Sequence, residues 1–179
     1  MSNLEGAVER FLKGDAAAFQ ELVDATSTRL VRLSARMLGN VADAEDVVQE
    51  AYVKAYRSLL DGQFDQRAKV ETWLYRIVVN ATIDARRKRT RRGPDVPIDD
   101  ETATDTQEGA ATGEARLALT ELAAFIGELP PDQQAALVLK AVEGRESAEI
   151  AEILGCSEGA VEQRLVRARA TLRQRRQDS

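Results

Sequence analysis

Apolar residues recur at three- and four-residue intervals along most of this chain, with charged residues between them. That period marks amphipathic helices rather than strands. Phe11, Leu12, Phe19, Leu22 and Val23 predict a first pair of short helices, interrupted at Lys13-Gly14-Asp15. Leu30, Leu33, Met37 and Leu38 continue a helical stripe to Gly39-Asn40, a pair suited to a C-terminal cap. The clearest stripe runs through Ala44, Val47, Val48, Ala51, Tyr52, Ala55, Tyr56 and Leu59, and Asp61-Gly62 closes it. A polar loop, Gln63 to Lys69, leads to a helix bearing Trp73, Leu74, Ile77, Val78, Ala81 and Ile83, which runs into a basic block.

The pattern stops at Gly93. From Pro94 to Gly113 (PDVPIDDETATDTQEGAATG) there is no apolar period, and Pro, Gly, Thr and acids dominate. Such a stretch buries too little surface to offset its chain entropy, so 93–113 reads as a flexible acidic linker. Fully extended, about twenty residues reach roughly 65–70 Å. It separates two expected domains, 1–92 and 114–179. The second opens with Leu117, Leu119, Leu122 and Phe125 and breaks at Leu129-Pro130-Pro131. Pro131 suits the first position of a helix carrying Ala135, Leu137, Val138 and Ala141, which stops at Glu143-Gly144. A short helix with Ile150, Ala151, Ile153 and Leu154 follows, then the turn Gly155-Cys156-Ser157. A final helix places Val161, Leu165, Ala168 and Leu172 on one stripe. Short helix, glycine-containing turn and longer basic helix form a helix-turn-helix pattern.

Composition narrows the class. The apolar 44% is mostly Ala, Leu and Val with few aromatics, which favours two small all-α domains. No secretion signal or bilayer-spanning run is visible, so the expected location is cytoplasmic. With one Cys and no His, neither an intrachain disulfide nor a zinc site of the usual ligands can form. No metal, cofactor or catalytic residue is expected. Net charge is −5, but the distribution is uneven. Residues 94–113 hold six acids and no base, whereas Arg76 to Arg92 carries seven basic residues opposed only by Asp84. A phosphate backbone meets local charge, so the basic block outweighs the global sum.

Three constellations carry chemistry. On the final helix, the face opposite the apolar stripe presents Gly159, Gln163, Val166 and Arg167, with Glu162 and Arg164 flanking. Such groups suit a helix entering a major groove; a solvated helix with an Arg-rich end is the plainer alternative. Trp73, Tyr75, Arg76 and Asn80 precede the basic block, and stacking with phosphate neutralisation is what melted DNA requires. On the central helix, Asp46, Gln49 and Glu50 share an exposed acidic side. That side reads as a favourable first turn, as a carboxylate metal helix lacking its facing partner, or as a docking face for a basic protein.

Taken in order, the strings DAEDVVQEAYVKAY (43–56), VETWLYRIVVNATIDARRKR (70–89) and LPPDQQAALVLKAVEG followed by SAEIAEILGCSEGAVEQRLVRARATLR resemble the extracytoplasmic-function class of the sigma-70 superfamily. The resemblance implies sigma domain 2, a linker and sigma domain 4, in a factor that directs core RNA polymerase to selected promoters. It implies that Asp46, Gln49 and Glu50 dock on the polymerase β′ clamp helices and that domain 4 meets the β flap. Lys69, Trp73, Arg76, Asn80, Arg86 and Arg87 would bind the promoter −10 element. Ser157, Gly159, Glu162, Gln163, Arg164, Val166 and Arg167 would bind the −35 element. Linker acids such as Asp99 and Asp100 would lie in the RNA path of polymerase, and an anti-sigma factor is an expected partner. Three positions depart from the family pattern. Glu162 stands where Lys or Arg is usual, Gln163 where Ser is frequent, and Arg145-Glu146-Ser147 replaces a common Leu-Ser-Tyr. Cys156 occupies a turn position that is normally apolar and reads as a small buried hydrophobe. A helix-turn-helix regulator that binds DNA without joining polymerase is the alternative reading.

Overall fold

The computed structural model describes residues 3–64, 66–92 and 113–178, all of whose regular elements are helices. Four form an N-terminal bundle: α1 (Asn3–Leu12), α2 (Ala17–Leu38), α3 (Val41–Leu60) and α4 (Val70–Arg92). Four more form a C-terminal bundle: α5 (Gly113–Glu128), α6 (Pro131–Ala141), α7 (Ser147–Leu154) and α8 (Glu158–Asp178). The expected linker, with Asp99 and Asp100, lies outside the described residues apart from Gly113, which begins α5. Among the described residues, no helix is long and apolar enough to cross a membrane.

Local chemistry sets the helix ends. Gly39 takes a left-handed φ of 72°, and its N–H bonds to Ala35 O at 2.7 Å, ending α2. Asn40 then caps α3, its Oδ1 accepting from the Asp43 N–H at 2.8 Å. The second helix is not short, as the pattern suggested, but one element of 22 residues. No Gly or Pro interrupts it, and the polar Thr26 is accommodated by bonding Leu22 O at 2.6 Å and Tyr52 OH at 2.7 Å. Leu22, Leu30, Leu33, Met37, Leu59, Leu74 and Tyr75 form the centre of the N-terminal bundle. The Tyr56 ring sits 5.1 Å from both Phe11 and Phe19, tying α1 and α2 to α3.

The expected core needs correction in the C-terminal bundle. Ala141 is exposed and Leu122 is 44% exposed, while Gln134 and Ala136 are fully buried. Six successive residues of α6, Gln134 to Leu139, are buried. A helix with one solvated face cannot do this; burial all round requires neighbours on every side. They come from both bundles, because α6 packs on α7 and α8 and also against α2 and α4. Helix α7 lies along α4. The two bundles are therefore closed upon each other.

Arg86 is the main polar joint in this closure. Its Nη1 donates to Met37 O at 2.7 Å and to Gln134 Oε1, and its Nη2 donates to Gly127 O and, at 3.1 Å, to Leu129 O. Burial holds its pKa below the ordinary guanidinium value, with Arg89 adding repulsion. Replacing Arg86 with Ala leaves several part-buried acceptors unpaired, so Arg86→Ala is expected to destabilise the chain by about 1–3 kcal/mol. The exposed Lys88→Ala should stay within about 0.5 kcal/mol. Urea unfolding of both variants is the measurement; equal midpoints would show that Arg86 does not join the bundles.

Candidate nucleic-acid interface

The acidic side of α3 is open. Asp46, Gln49 and Glu50 are all exposed, opposite the buried Ala44, Val48, Ala51 and Ala55. Further along, Glu50, Val53, Lys54, Arg57 and Asp61 line a shallow cleft of about 420 Å³. Val53 is half-exposed there, so the face mixes carboxylates with an apolar group. Among the described residues, no group of three or more His, Cys, Asp or Glu is placed to hold a metal ion. The acidic side suits a basic protein surface, with Val53 adding apolar contact.

Helix α4 carries the residues expected at the −10 element, but they do not form one open strip. Lys69, Arg76 and Asn80 are exposed, and Trp73 is half-buried against Phe64 with ring centroids 4.8 Å apart. Lys69 O accepts the Trp73 N–H at 3.0 Å, so the loop hands directly into the helix. At the start of α4, Glu5 reaches across from α1 and accepts the Val70 N–H at 3.3 Å. A carboxylate at a helix N-terminus satisfies an orphan donor and favours the dipole. Farther along, Arg86 is engaged as described, and Arg87 Nη2 donates to both oxygens of Asp132 at 3.0 Å. Arg76 turns its Nη2 toward Gly155, 4.0 Å from where a Cβ would stand there. Gly155 has φ 61°, a left-handed turn position.

The turn and final helix display the third constellation as the period predicts. Val161, Leu165 and Ala168 are buried, whereas Ser157, Gly159, Glu162, Gln163, Val166 and Arg167 are exposed. Ser157 Oγ accepts the Ala160 N–H at 3.2 Å and opens α8. Arg164 is half-buried, with its Nη1 at 3.1 Å from Cys156 Sγ, and Cys156 packs partly against the core. Glu162 accepts from Ser147 Oγ at 2.5 Å, so its carboxylate is tied back toward α7.

One cluster is absent from the sequence reading. Glu71 pairs with Arg145 and, at 3.3 Å, with Arg29. Glu143 Oε2 accepts from Arg29 Nε at 2.8 Å and from Tyr75 OH at 2.9 Å. The Arg145 guanidinium lies over the Tyr75 ring, 4.6 Å from its centroid. Burial, offset by Arg145 and reinforced by Glu143, pushes the Tyr75 phenol up to about 12. Burial disfavours charge on Arg145, but bonding and attraction from Glu71 and Tyr75 raise its pKa above the ordinary value. The departure at Arg145 was a signal for this cluster; nothing in the sequence indicated its partners on α2 and α4.

Comparison with known proteins identifies the family. Residues 22–92 match the family model described as Sigma-70 region 2, and residues 119–172 match Sigma-70, region 4. The chain is 36% identical to the ECF RNA polymerase sigma factor SigW of Bacillus subtilis, covering 96% of this chain and 95% of that protein. It is 35% identical to the RNA polymerase sigma-H factor of Pseudomonas aeruginosa, covering 92% and 89%. It is 36% identical to the ECF RNA polymerase sigma-E factor of Escherichia coli K12, covering 92% and 90%. Among solved structures, CnrH in complex with the cytosolic domain of CnrY shares 27% identity and a TM-score of 0.71 over 99% of both chains. The sigma factor RpoE in complex with the anti-sigma factor NepR from Bartonella quintana shares the fold, with a TM-score of 0.62 at 24% identity over 87% of this chain and 94% of that one. With its helix-turn-helix, its basic helix and near full-length likeness to these factors, the chain belongs to the extracytoplasmic-function class of the sigma-70 family.

Proposed function

We propose that this chain joins core RNA polymerase and directs initiation at promoters whose −10 and −35 elements it reads, with no catalytic step of its own. The observation that carries the reading is the match to regions 2 and 4 in one chain and in that order, which supports assigning three surfaces to polymerase and the two promoter elements. Asp46, Gln49 and Glu50 supply the open acidic face for the basic β′ clamp helices, and domain 4, residues 114–179, meets the β flap. In domain 2, residues 1–92, Lys69, Trp73, Arg76, Asn80, Arg86 and Arg87 hold the melted −10 strand, by stacking and by phosphate contact. Ser157, Gly159, Glu162, Gln163, Arg164, Val166 and Arg167 face the −35 element. Helix α8 has room for a major groove because this side is exposed from Ser157 to Arg167, apart from the half-buried Arg164. Residues 93–113 join the domains as an acidic linker. The chain acts in the cytoplasm, where polymerase and promoters are.

An anti-sigma factor is the expected regulator. Support comes from the likeness to CnrH, which was solved bound to the cytosolic domain of CnrY. The alternative, a regulator that binds duplex DNA without polymerase, rests on the helix-turn-helix alone and leaves the acidic face of α3 without a role.

A charge reversal separates the two. Asp46→Arg combined with Glu50→Arg should weaken binding to core polymerase by about 100-fold or more, since two favourable contacts become repulsive. Both residues are exposed, so helicity by circular dichroism should not change. Unaltered polymerase binding by the folded variant, together with tight operator binding by the chain alone, would favour the regulator.

A further inference from the structure

The basic residues of α4 proposed to meet promoter DNA face the C-terminal bundle. Arg86 donates to Gly127 O, Leu129 O and Gln134 Oε1. Arg87 is paired with Asp132, and Arg76 lies against the turn at Gly155. Beside them, Glu71 and Tyr75 of α4 hold Arg145 and Glu143, which lie between α6 and α7. The side chains of Glu143 and Arg145 are only 6% and 11% exposed. These contacts are long-range, and they lie on the α4 segment that a promoter strand would have to follow.

We propose that the free chain is self-closed: Glu71, Tyr75, Glu143 and Arg145 latch the C-terminal bundle onto α4, and Arg86 and Arg87 meet protein groups instead of promoter phosphates until the latch opens. Carbonyl and carboxylate oxygens imitate the phosphate oxygens that a guanidinium would otherwise bind. A strand that takes Arg86 and Arg87 must displace α6, whose Gln134 and Asp132 they hold. The closure is reversible because much of its polar contact is ionic and partly solvated. Arg29, Arg87 and Asp132 keep about half their exposure, and such pairs are individually weak. Arg145 is the chain's own element of the device, standing where the family pattern has Leu. Helix α8, Lys69 and Asn80 remain open throughout, so closure masks the Arg86–Arg87 end of the proposed −10 surface selectively. The masking, though not the closure, rests on the proposed role of α4 at the −10 element.

The test uses the full chain without partners. Small-angle X-ray scattering should give a radius of gyration near the roughly 16 Å of one compact body of this length. Arg145→Glu, which faces Glu71 and Glu149 with a like charge, should raise it by roughly a third, as two tethered bodies require. Arg145→Leu should open the chain while retaining the family's residue, and exposed Lys13→Glu should change nothing. Binding of a single-stranded −10 oligonucleotide, followed by anisotropy, should tighten in both Arg145 variants. If about nine-tenths of free chains are closed, the gain is about tenfold. Arg145→Glu makes the chain more negative, so simple electrostatics predicts the opposite sign. An extended wild-type chain, or folded Arg145 variants as compact as wild type, would overturn the latch and leave the −10 assignment standing. Opening without tighter oligonucleotide binding would overturn the masking and place the fault in the assignment of α4 to the −10 element.

Discussion

The carbonyl groups at the C-terminal end of a helix have no partners within it, and a buried helix end must find donors elsewhere. Much of this molecule's organisation follows from how two such ends are satisfied. Met37 O and Leu38 O, at the end of α2, accept from Arg86 and Arg89 of α4. Gly127 O, at the end of α5, and Leu129 O, just beyond it, accept from the same Arg86. One cation thus completes helix ends in both bundles, where the negative pole of each dipole also favours positive charge. Without it, the turn from α2 into α3 and the break between α5 and α6 would leave acceptors unpaired near the centre of the molecule. The basic block at the end of α4 is therefore structural, besides its proposed role toward nucleic acid.

That dual use bears on the energetics of the interface. Phosphate and carbonyl oxygens both accept from a guanidinium, the phosphate more strongly, so on the proposed −10 role a DNA strand would compete with the protein's own helix ends. The Glu71–Arg145–Tyr75–Glu143 cluster sets the terms of the competition through position more than strength. Desolvating its charges offsets much of the attraction between them. Arg145 Nε is buried without a hydrogen-bond partner among the described residues, a local cost of the arrangement. The cluster therefore adds geometric specificity to a contact that also buries apolar residues of α6 against α2 and α4.

The helices were legible because each has to bury a stripe, and a stripe has a period. Val161, Leu165 and Ala168 on α8, and Ala44, Val48, Ala51 and Ala55 on α3, are buried as their spacing requires. The ends were legible where local chemistry decides them, as at Gly39 and Pro131. On α6 the apolar period does not decide burial. Gln134 and Ala136 are buried because a second body covers the side that the pattern leaves to solvent, and Ala141 lies beyond that cover. The same limit applies to the site. Exposure of Asp46 or Gln163 follows from the stripe opposite, whereas the engagement of Arg86 and Arg87 depends on pairings about 45 residues apart. Long-range charge pairs leave no periodic trace. Arg145 stood out only by departing from a family pattern, and its partners needed coordinates.

Glu162 sharpens the difference between the two DNA-facing surfaces. A carboxylate at that place would repel phosphate if it pointed freely outward, but Ser147 draws it toward α7. Its remaining acceptor capacity then faces the edge of the recognition surface, where an amino group of cytosine is the complementary base donor. Gln163 and Arg167, one turn apart and both exposed, have no such tether among the hydrogen bonds described. The helix thus offers one fixed acceptor beside two adaptable donors. Sequence preference at the −35 element follows from rigid groups more than from mobile ones, because a fixed group cannot move to accommodate the wrong base. On that argument, and on the proposed −35 role of α8, Glu162, the residue that departs from the family, would contribute more to base choice than the more mobile residues around it.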